Sequence, residues 1–302
     1  MEKFTKYLEK KGFHVLEKLK GDASTRDFYR VKRKRETFVI MRFNSPGIEE
    51  QIRVYRLLGS VLPLSRILDV FLPVNALLME DAGDLSLEKY MKEGKGPWRS
   101  IYKDLLGMIE VLQTYTAKLI PEEHPVRKRK LDRERFKKEL DFTFEHFILP
   151  FGIDLQREKW GGVTEKLLNL IDFSFVVCHR DFHSRNIYIK NGRLIILDYQ
   201  DSMLGPVAYD YASLLRDNYI YFTEEERKNF EDEIFQKTTM IQYEAVSLQR
   251  HLKALGTFGY QSRFAGKKHF ELYIPITLKY IKEEYRKIGI PEIEKIMGNF
   301  HL

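Results

Sequence analysis

The stretch Val176 to Asp201, VVCHRDFHSRNIYIKNGRLIILDYQD, decides how this chain is read. Two short apolar runs, Ile187 to Lys190 and Arg193 to Leu197, flank Asn191-Gly192, and such a pair supplies the two positive-φ residues that a tight hairpin turn requires. The stretch therefore predicts a loop followed by a hairpin. The loop carries His179, Asp181 and Asn186, and Asp198 closes the second strand. Folding the hairpin back brings Asn186 and Asp198 to one end, with Asp181 just before them on the loop. Cys178 ends the apolar strand that leads in, a place that suits a buried small hydrophobe better than a nucleophile.

That arrangement has a chemical reading. Phosphoryl transfer from ATP needs a carboxylate to orient or deprotonate the acceptor hydroxyl, and oxygen ligands that hold Mg²⁺ against the phosphates. Asp181 fits the first role, and Asn186 and Asp198 fit the second. The spacing H-R-D-x-x-x-x-N, followed by a hairpin and Asp, matches the part of the protein-kinase signature that does the chemistry. A surface hairpin with polar ends is the plainer alternative; four spaced residues on one strand-loop-hairpin frame weigh against it.

His179 to Asn186, HRDFHSRN, resembles the catalytic loop of the aminoglycoside phosphotransferase-like kinases, which carry His two residues after the Asp where protein kinases carry Lys. Asp198-Tyr199-Gln200 is similar to that family's metal motif. With Gly205-Pro206 and Tyr209 to Leu215, the pattern looks closest to the bacterial kinases that phosphorylate the anomeric hydroxyl of N-acetylmuramate and N-acetylglucosamine in cell-wall recycling. The resemblance implies a protein-kinase-like α+β fold with a small β-rich N-terminal lobe, residues 1–81, and a larger, mainly helical lobe, residues 82–302, with ATP between them. It implies ATP and Mg²⁺ as cofactors and a small-molecule sugar as substrate. It also gives His179 and Asp210 supporting roles, Asp210 by bonding the backbone of the catalytic loop; a plain helix N-terminal carboxylate would equally account for Asp210.

Composition agrees with a cytoplasmic enzyme. A chain of 302 residues, 43% hydrophobic and 31% charged, can bury a sizeable core in two lobes. No apolar run approaches the ~20 residues that span a bilayer, and the N-terminus reads as a mixed-charge helix. The single cysteine fits a reducing compartment. The net charge of +7 invites a nucleic-acid reading. Much of it sits in Arg127 to Lys138, where eight basic residues face two acidic ones. The one aromatic of that segment, Phe136, belongs to an amphipathic apolar pattern with Leu140, Phe144 and Phe147 rather than to a set that could stack bases, so a solvated basic helix face is the better reading, and neither a nucleic-acid nor a membrane partner is expected.

Residues 2–12 read as a short helix, followed by strands at Phe13 to Leu19 and Asp27 to Lys32. The joining loop, Gly21-Asp22-Ala23-Ser24-Thr25-Arg26, resembles the family's phosphate loop and makes Gly21, Asp22 and Ser24 candidate nucleotide contacts, although it lacks a Walker A or GxGxxG pattern. Arg42, ending the strand Thr37 to Phe43, stands about where the kinase ion-pair lysine would be, with Glu49 or Glu50 of the next helix as its partner; a plain surface arginine is the alternative. Leu77 to Asp84 reads as a buried strand breaking into a turn. By resemblance this is the hinge, where backbone groups at Glu80 and Ala82 would bond adenine.

From Leu85 the apolar spacing is helical. Leu85 to Met91, Tyr102 to Leu119, Arg133 to Phe147, Glu224 to Ala254 and Ile274 to Lys287 read as helices, and Gly205-Pro206 as a turn. For a sugar, the candidates are Asp201, Tyr209, Arg216, Asp217, Tyr219, Gln261 and Arg263, with Asp201 and Arg216 preferred. Leu248 to Tyr260 resembles the sugar-kinase C-terminal segment. The competing readings are a kinase of the same fold acting on an aminoglycoside, choline, homoserine or another sugar, and a nucleotide-binding regulatory pseudoenzyme. Oligomeric state is not readable from the sequence.

Overall fold

The computed structural model describes residues 2–19 and 26–294, with every side chain in those ranges except 115–119. The chain forms two compact units: Met1–Leu87 with Asn186–Gln200, and Glu88–Arg185 with Asp201–Leu302.

The first unit opens with helix α1 (Glu2–Lys10) and an antiparallel sheet of β1 (His14–Leu19), β2 (Asp27–Arg33), β3 (Glu36–Arg42), β4 (Ile67–Phe71) and β5 (Ala76–Glu80), ordered β1-β2-β3-β5-β4. Pairings Tyr29↔Ile40, Val31↔Phe38 and Ile40↔Leu78 put these apolar side chains on one face. Phe4 and Leu8 of α1 close over that face with Phe13 and Phe71. Each such side chain taken out of water contributes about 1.5–3 kcal/mol. A nine-residue helix needs that help, because it is too short to persist alone. Helix α2 (Ile48–Leu58) follows β3.

The hairpin of Ile187–Lys190 and Arg193–Ile196 forms with Ile187 opposite Ile196, and its turn uses Asn191 at φ 52° and Gly192 at φ 74°. It belongs to the first unit. The expected division at residues 81 and 82 placed it with the helices, and the hydrogen bonding explains the difference. Ser65 N–H donates to the Ile196 carbonyl (3.2 Å), Ile196 N–H to Pro63 (2.9 Å), and Ile189 N–H to Leu85 (2.9 Å). The Lys190 ammonium donates to the Asp81 carbonyl, and the Tyr199 ring lies 6.0 Å from Tyr55 of α2.

The second unit comprises α3 (Leu87–Lys92, beginning at the border residue), α4 (Trp98–Leu119), α5 (Pro125–Lys128), α6 (Arg133–Thr143), α7 (Arg157–Asn169), α8 (Ala208–Leu215), α9 (Glu224–Ile234), α10 (Met240–Gly259) and α11 (Ile274–Ile288). Helix α10 is its centre, packed against α6, α8 and α11. Where α10 crosses α6 the backbones nearly touch: a Cβ on Gly256 would lie 2.7 Å from Thr143 Oγ1, and one on Gly259 would strike the His146 carbonyl. Thr143 Oγ1 instead donates to the Leu252 carbonyl at 2.8 Å.

Two expectations change here. The helical segment read over Glu224 to Ala254 is divided into two helices, because Thr223 forms a capping box for α9 and Thr239 Oγ1 accepts the Gln242 N–H to start α10. Gly205-Pro206 is not a turn; Met203–Pro206 pairs antiparallel with Phe175–Cys178, and Cys178 is buried as expected. Several charges of the basic segment meet acids, through Lys128–Glu123, Arg133–Glu165, Lys137–Glu165 and Lys138–Glu134. Among the described residues no helix is long and apolar enough to cross a membrane.

Candidate active site

In the second unit, the strand Phe175–Cys178 delivers the chain into the loop that carries Asp181, and α8 pins that loop at two points. From its first turn, Asp210 accepts the N–H of His179 at 2.6 Å and of Arg180 at 3.0 Å. Just past its C-terminus, Asp217 accepts the N–H of Ser184 at 2.8 Å with one oxygen and that of Tyr219 at 2.8 Å with the other. Asp181 stands between the two latches. Arg180 is held at φ 79°, a left-handed conformation that costs a non-glycine residue free energy and persists only where surroundings over-determine it. His179 is fully buried, its ring edge-on to Phe182 at 5.5 Å.

The electrostatics sort these groups. Burial would push the Asp181 carboxyl up, but the positive charges of Lys253 and then Arg180 oppose it, and the group is held below its usual range. Burial pushes His183 down to about 3 despite Asp181, so its ring is neutral at ordinary pH. Burial raises Asp210 to about 7 and Asp217 to about 6, against the N–H bonds each accepts.

In the first unit, Leu197 N–H donates to the Asn186 carbonyl at 2.8 Å, so Asn186 and Asp198 come to one end of the hairpin. Asp198 is also left-handed, at φ 61°. One amide oxygen and one carboxylate are hard donors of the kind Mg²⁺ prefers, and Mg²⁺ normally completes its shell with water and phosphate oxygens. The donor set fits that ion.

The remaining candidates fall differently. Gly21, Asp22 and Ser24 lie outside the described residues. Arg42 does not face α2. Side chains alternate along a strand, so Arg42 shares the face of Phe38 and Ile40, and its guanidinium lies 5.0 Å over the Phe4 ring. Arg26 meets α2 instead, 3.1 Å from Gln51 Oε1 and 4.0 Å from Met41 Sδ. The Glu80 backbone is engaged, its N–H with the Arg66 carbonyl (2.9 Å) and its carbonyl with Ser65 Oγ (2.9 Å). Ala82 is buried and lies beyond the strand ladder.

Asp201 is half-buried and sits within the electrostatic reach of Arg180. Arg216 cannot contact a substrate. Its side chain is 0% exposed and donates to Glu231, Glu244 and Glu284. Sequence reading took Arg216 as a polar group near the loop, whereas the folded unit spends it on a buried ion network. It also missed Lys253, and Asp217's hold on the loop. The signal for Asp217 was its place one helix-length after Asp210; Lys253 gave none beyond its charge.

The model of the phosphotransferase enzyme family (APH) matches residues 15–246. The N-acetylmuramate/N-acetylglucosamine kinase of Neisseria meningitidis serogroup B is 27% identical over 232 residues, spanning 70% of this chain and 67% of that protein. The Pseudomonas aeruginosa protein of the same name is 22% identical over 304 residues, spanning 92% and 86%. Among solved structures, choline kinase from Cryptosporidium parvum superimposes with TM-score 0.63 at 14% identity, covering 96% of this chain and 97% of that one. ADP-bound aminoglycoside phosphotransferase APH(2'')-Ib gives 0.63 at 15%, covering 93% and 98%. At such identities the likeness speaks for the protein-kinase-like fold. By the extent of the family match and the kinases it resembles, the chain belongs to the phosphotransferase enzyme family and is a kinase that phosphorylates a hydroxyl acceptor.

Proposed function

We propose that the protein uses ATP and Mg²⁺ to phosphorylate the anomeric hydroxyl of an N-acetylated amino sugar. The observation that carries the catalytic part is the doubly latched loop: Asp210 and Asp217 fix the backbone on both sides of Asp181. Phosphoryl transfer asks little covalent chemistry of a protein and much positioning, so a carboxylate on a rigid loop is what the reaction needs. The acceptor class rests on the relatives named as N-acetylmuramate/N-acetylglucosamine kinases.

In this reading Asp181, ionised because nearby cations outweigh its burial, accepts a hydrogen bond from the acceptor hydroxyl. It aims that oxygen and takes its proton as the new P–O bond forms and the bond from the γ-phosphorus to the ADP oxygen breaks, with ADP as the leaving group. Neutral His183 adds no positive charge beside the carboxylate. Asn186 and Asp198 would hold Mg²⁺, which when bound neutralises charge on the phosphates. The backbone of Ala82, which lies beyond the strand ladder, would bond adenine. The test measures ATP consumption over a panel of N-acetylated amino sugars, choline and aminoglycosides, with phosphorus NMR locating the new phosphate. Anomeric phosphate on an amino sugar is expected. Turnover confined to choline or an aminoglycoside would reject the substrate, and ATP binding without turnover of any acceptor would reject the reaction.

A further inference from the structure

The second unit contains a cleft of about 580 Å³, walled by α6 on one side and the C-terminal half of α10 on the other, with Arg180 also in its lining. Most charges there are matched. Lys138 pairs with Glu134 at 2.7 Å, Arg135 lies 3.8 Å from Glu139, and Asp132 caps α6 by accepting the Arg135 N–H.

Three cations of the lining are not matched in this way: Lys130, whose ammonium lies 5.4 Å over the Phe175 ring, Arg180 and Lys253. The guanidinium of Arg180 and the ammonium of Lys253 form no ion pair or hydrogen bond with another described residue, and Arg180 Nε is buried without a hydrogen-bond partner. One helical turn before Lys253, Arg250 is 7% exposed, with Nε and Nη1 both buried and unpartnered; Nη2 donates to Ser213 Oγ at 2.7 Å. Arg250, Lys253 and Thr257 follow helical spacing on one face of α10. Asp181 lies near Lys253 and Arg180, Glu139 and Asp201 also act on Arg180, and Asp210 acts on Arg250, yet none of these carboxylates bonds the buried Nε of Arg180 or the Nε and Nη1 of Arg250. Buried donors without acceptors cost free energy, and a buried cation costs more, unless a ligand supplies the counter-charge.

We propose that this cleft is an oxyanion subsite, in which Arg180 and Lys253 take a carboxylate or phosphate group. The proposal rests on the acceptor reading given above and extends it to the chemistry of the acceptor. The anion is either a substituent of the sugar or a free oxyanion, and both present the same charged oxygens. Phe142 also lines the cleft, and its ring offers an apolar face that suits a sugar bearing the anion.

Calorimetric titration of the full chain decides the matter. The titrants are N-acetylmuramate, which carries a carboxylate on its ether-linked lactate, neutral N-acetylglucosamine, and inorganic phosphate. Each is measured against wild type, Lys253→Met and Lys253→Arg, with melting curves confirming that the variants fold. The acid sugar is expected to bind wild type about tenfold or more tightly than the neutral one. That ratio collapses in Lys253→Met and returns in Lys253→Arg. Phosphate binding that is lost in Lys253→Met, while the two sugars bind alike, assigns the subsite to a free oxyanion. If wild type and Lys253→Met bind all three titrants alike, or wild type binds none of them, the subsite does not exist. Turnover is read separately. Phosphorylation of N-acetylglucosamine with no carboxylate preference keeps the acceptor reading and removes the subsite, whereas Lys253-dependent anion binding without phosphorylation of any sugar does the reverse.

Discussion

Asp181 and His183 sit two residues apart with opposite electrostatic fates. Asp181 stays ionised because cations surround it, and His183 stays neutral because burial dominates. Replacing Asp181 by Asn removes the proposed proton acceptor while preserving shape. Turnover of the best acceptor should fall by about 10²–10⁴-fold, with nucleotide binding retained, as read by steady-state kinetics and nucleotide titration. The His183 shift has a pH consequence. Its folded value, about 3, lies below the unfolded value of about 6.5, so between these the unfolded chain binds a proton that the folded chain does not. Stability is therefore full above the unfolded value and falls as pH drops, by at most about 1.4 kcal/mol per pH unit. Asp210 and Asp217, whose values are raised, act in the opposite sense, but a variant retains both. His183→Gln should accordingly lose less stability than wild type between pH 7.5 and 5, measured by urea unfolding at each pH. Equal pH slopes would show that His183 is not held neutral. At this scale the HRDFHSRN spacing pointed to the residues proposed to carry the chemistry, but not to their charge states. Those depend on Lys253 and Arg180, one of them far away in the chain.

Among the elements, α8 and α10 do most of the positioning. Helix α8 sends Asp210 and Asp217 to the loop, and α10 brings Arg250 and Lys253 to the cleft face while lying almost backbone to backbone on α6. A side chain at Gly259 would meet the His146 carbonyl, a backbone atom that cannot rotate away. Gly259→Val should destabilise the protein by about 1–3 kcal/mol, seen as a lower urea midpoint; a neutral effect would mean that the two helices separate easily. The hairpin was legible because Asn-Gly is local turn chemistry. The split of α9 from α10 could be missed because apolar spacing continues across Thr239, while the cap that ends it is a hydrogen bond rather than a pattern. Arg42 was misassigned for a similar reason: strand identity was readable, but which face carries α2 was not.

For the molecule as a whole, the buried ion network of Arg216 with Glu231, Glu244 and Glu284 ties α9, α10 and α11 to the end of α8. Removing the cation leaves three buried carboxylates with only Arg227, Lys287 and His251 beside them, so Arg216→Met should cost about 3–5 kcal/mol, read as a loss of folded protein in thermal and urea unfolding. A stable variant with altered sugar affinity would restore the substrate-contact role that the structure denies it. Taken alone, the sequence determined the loop-and-hairpin frame, the sheet-then-helices order and the phosphotransferase character, because each is written in local spacing and turn chemistry. Only the tertiary structure decided that the hairpin belongs to the first unit, that Arg216 is sealed and that Arg26 rather than Arg42 meets α2. It also decided that Asp217 latches the loop and that Lys253 sits beside Asp181. These depend on which faces pack together, and burial is a property of the folded chain that no short stretch of sequence contains.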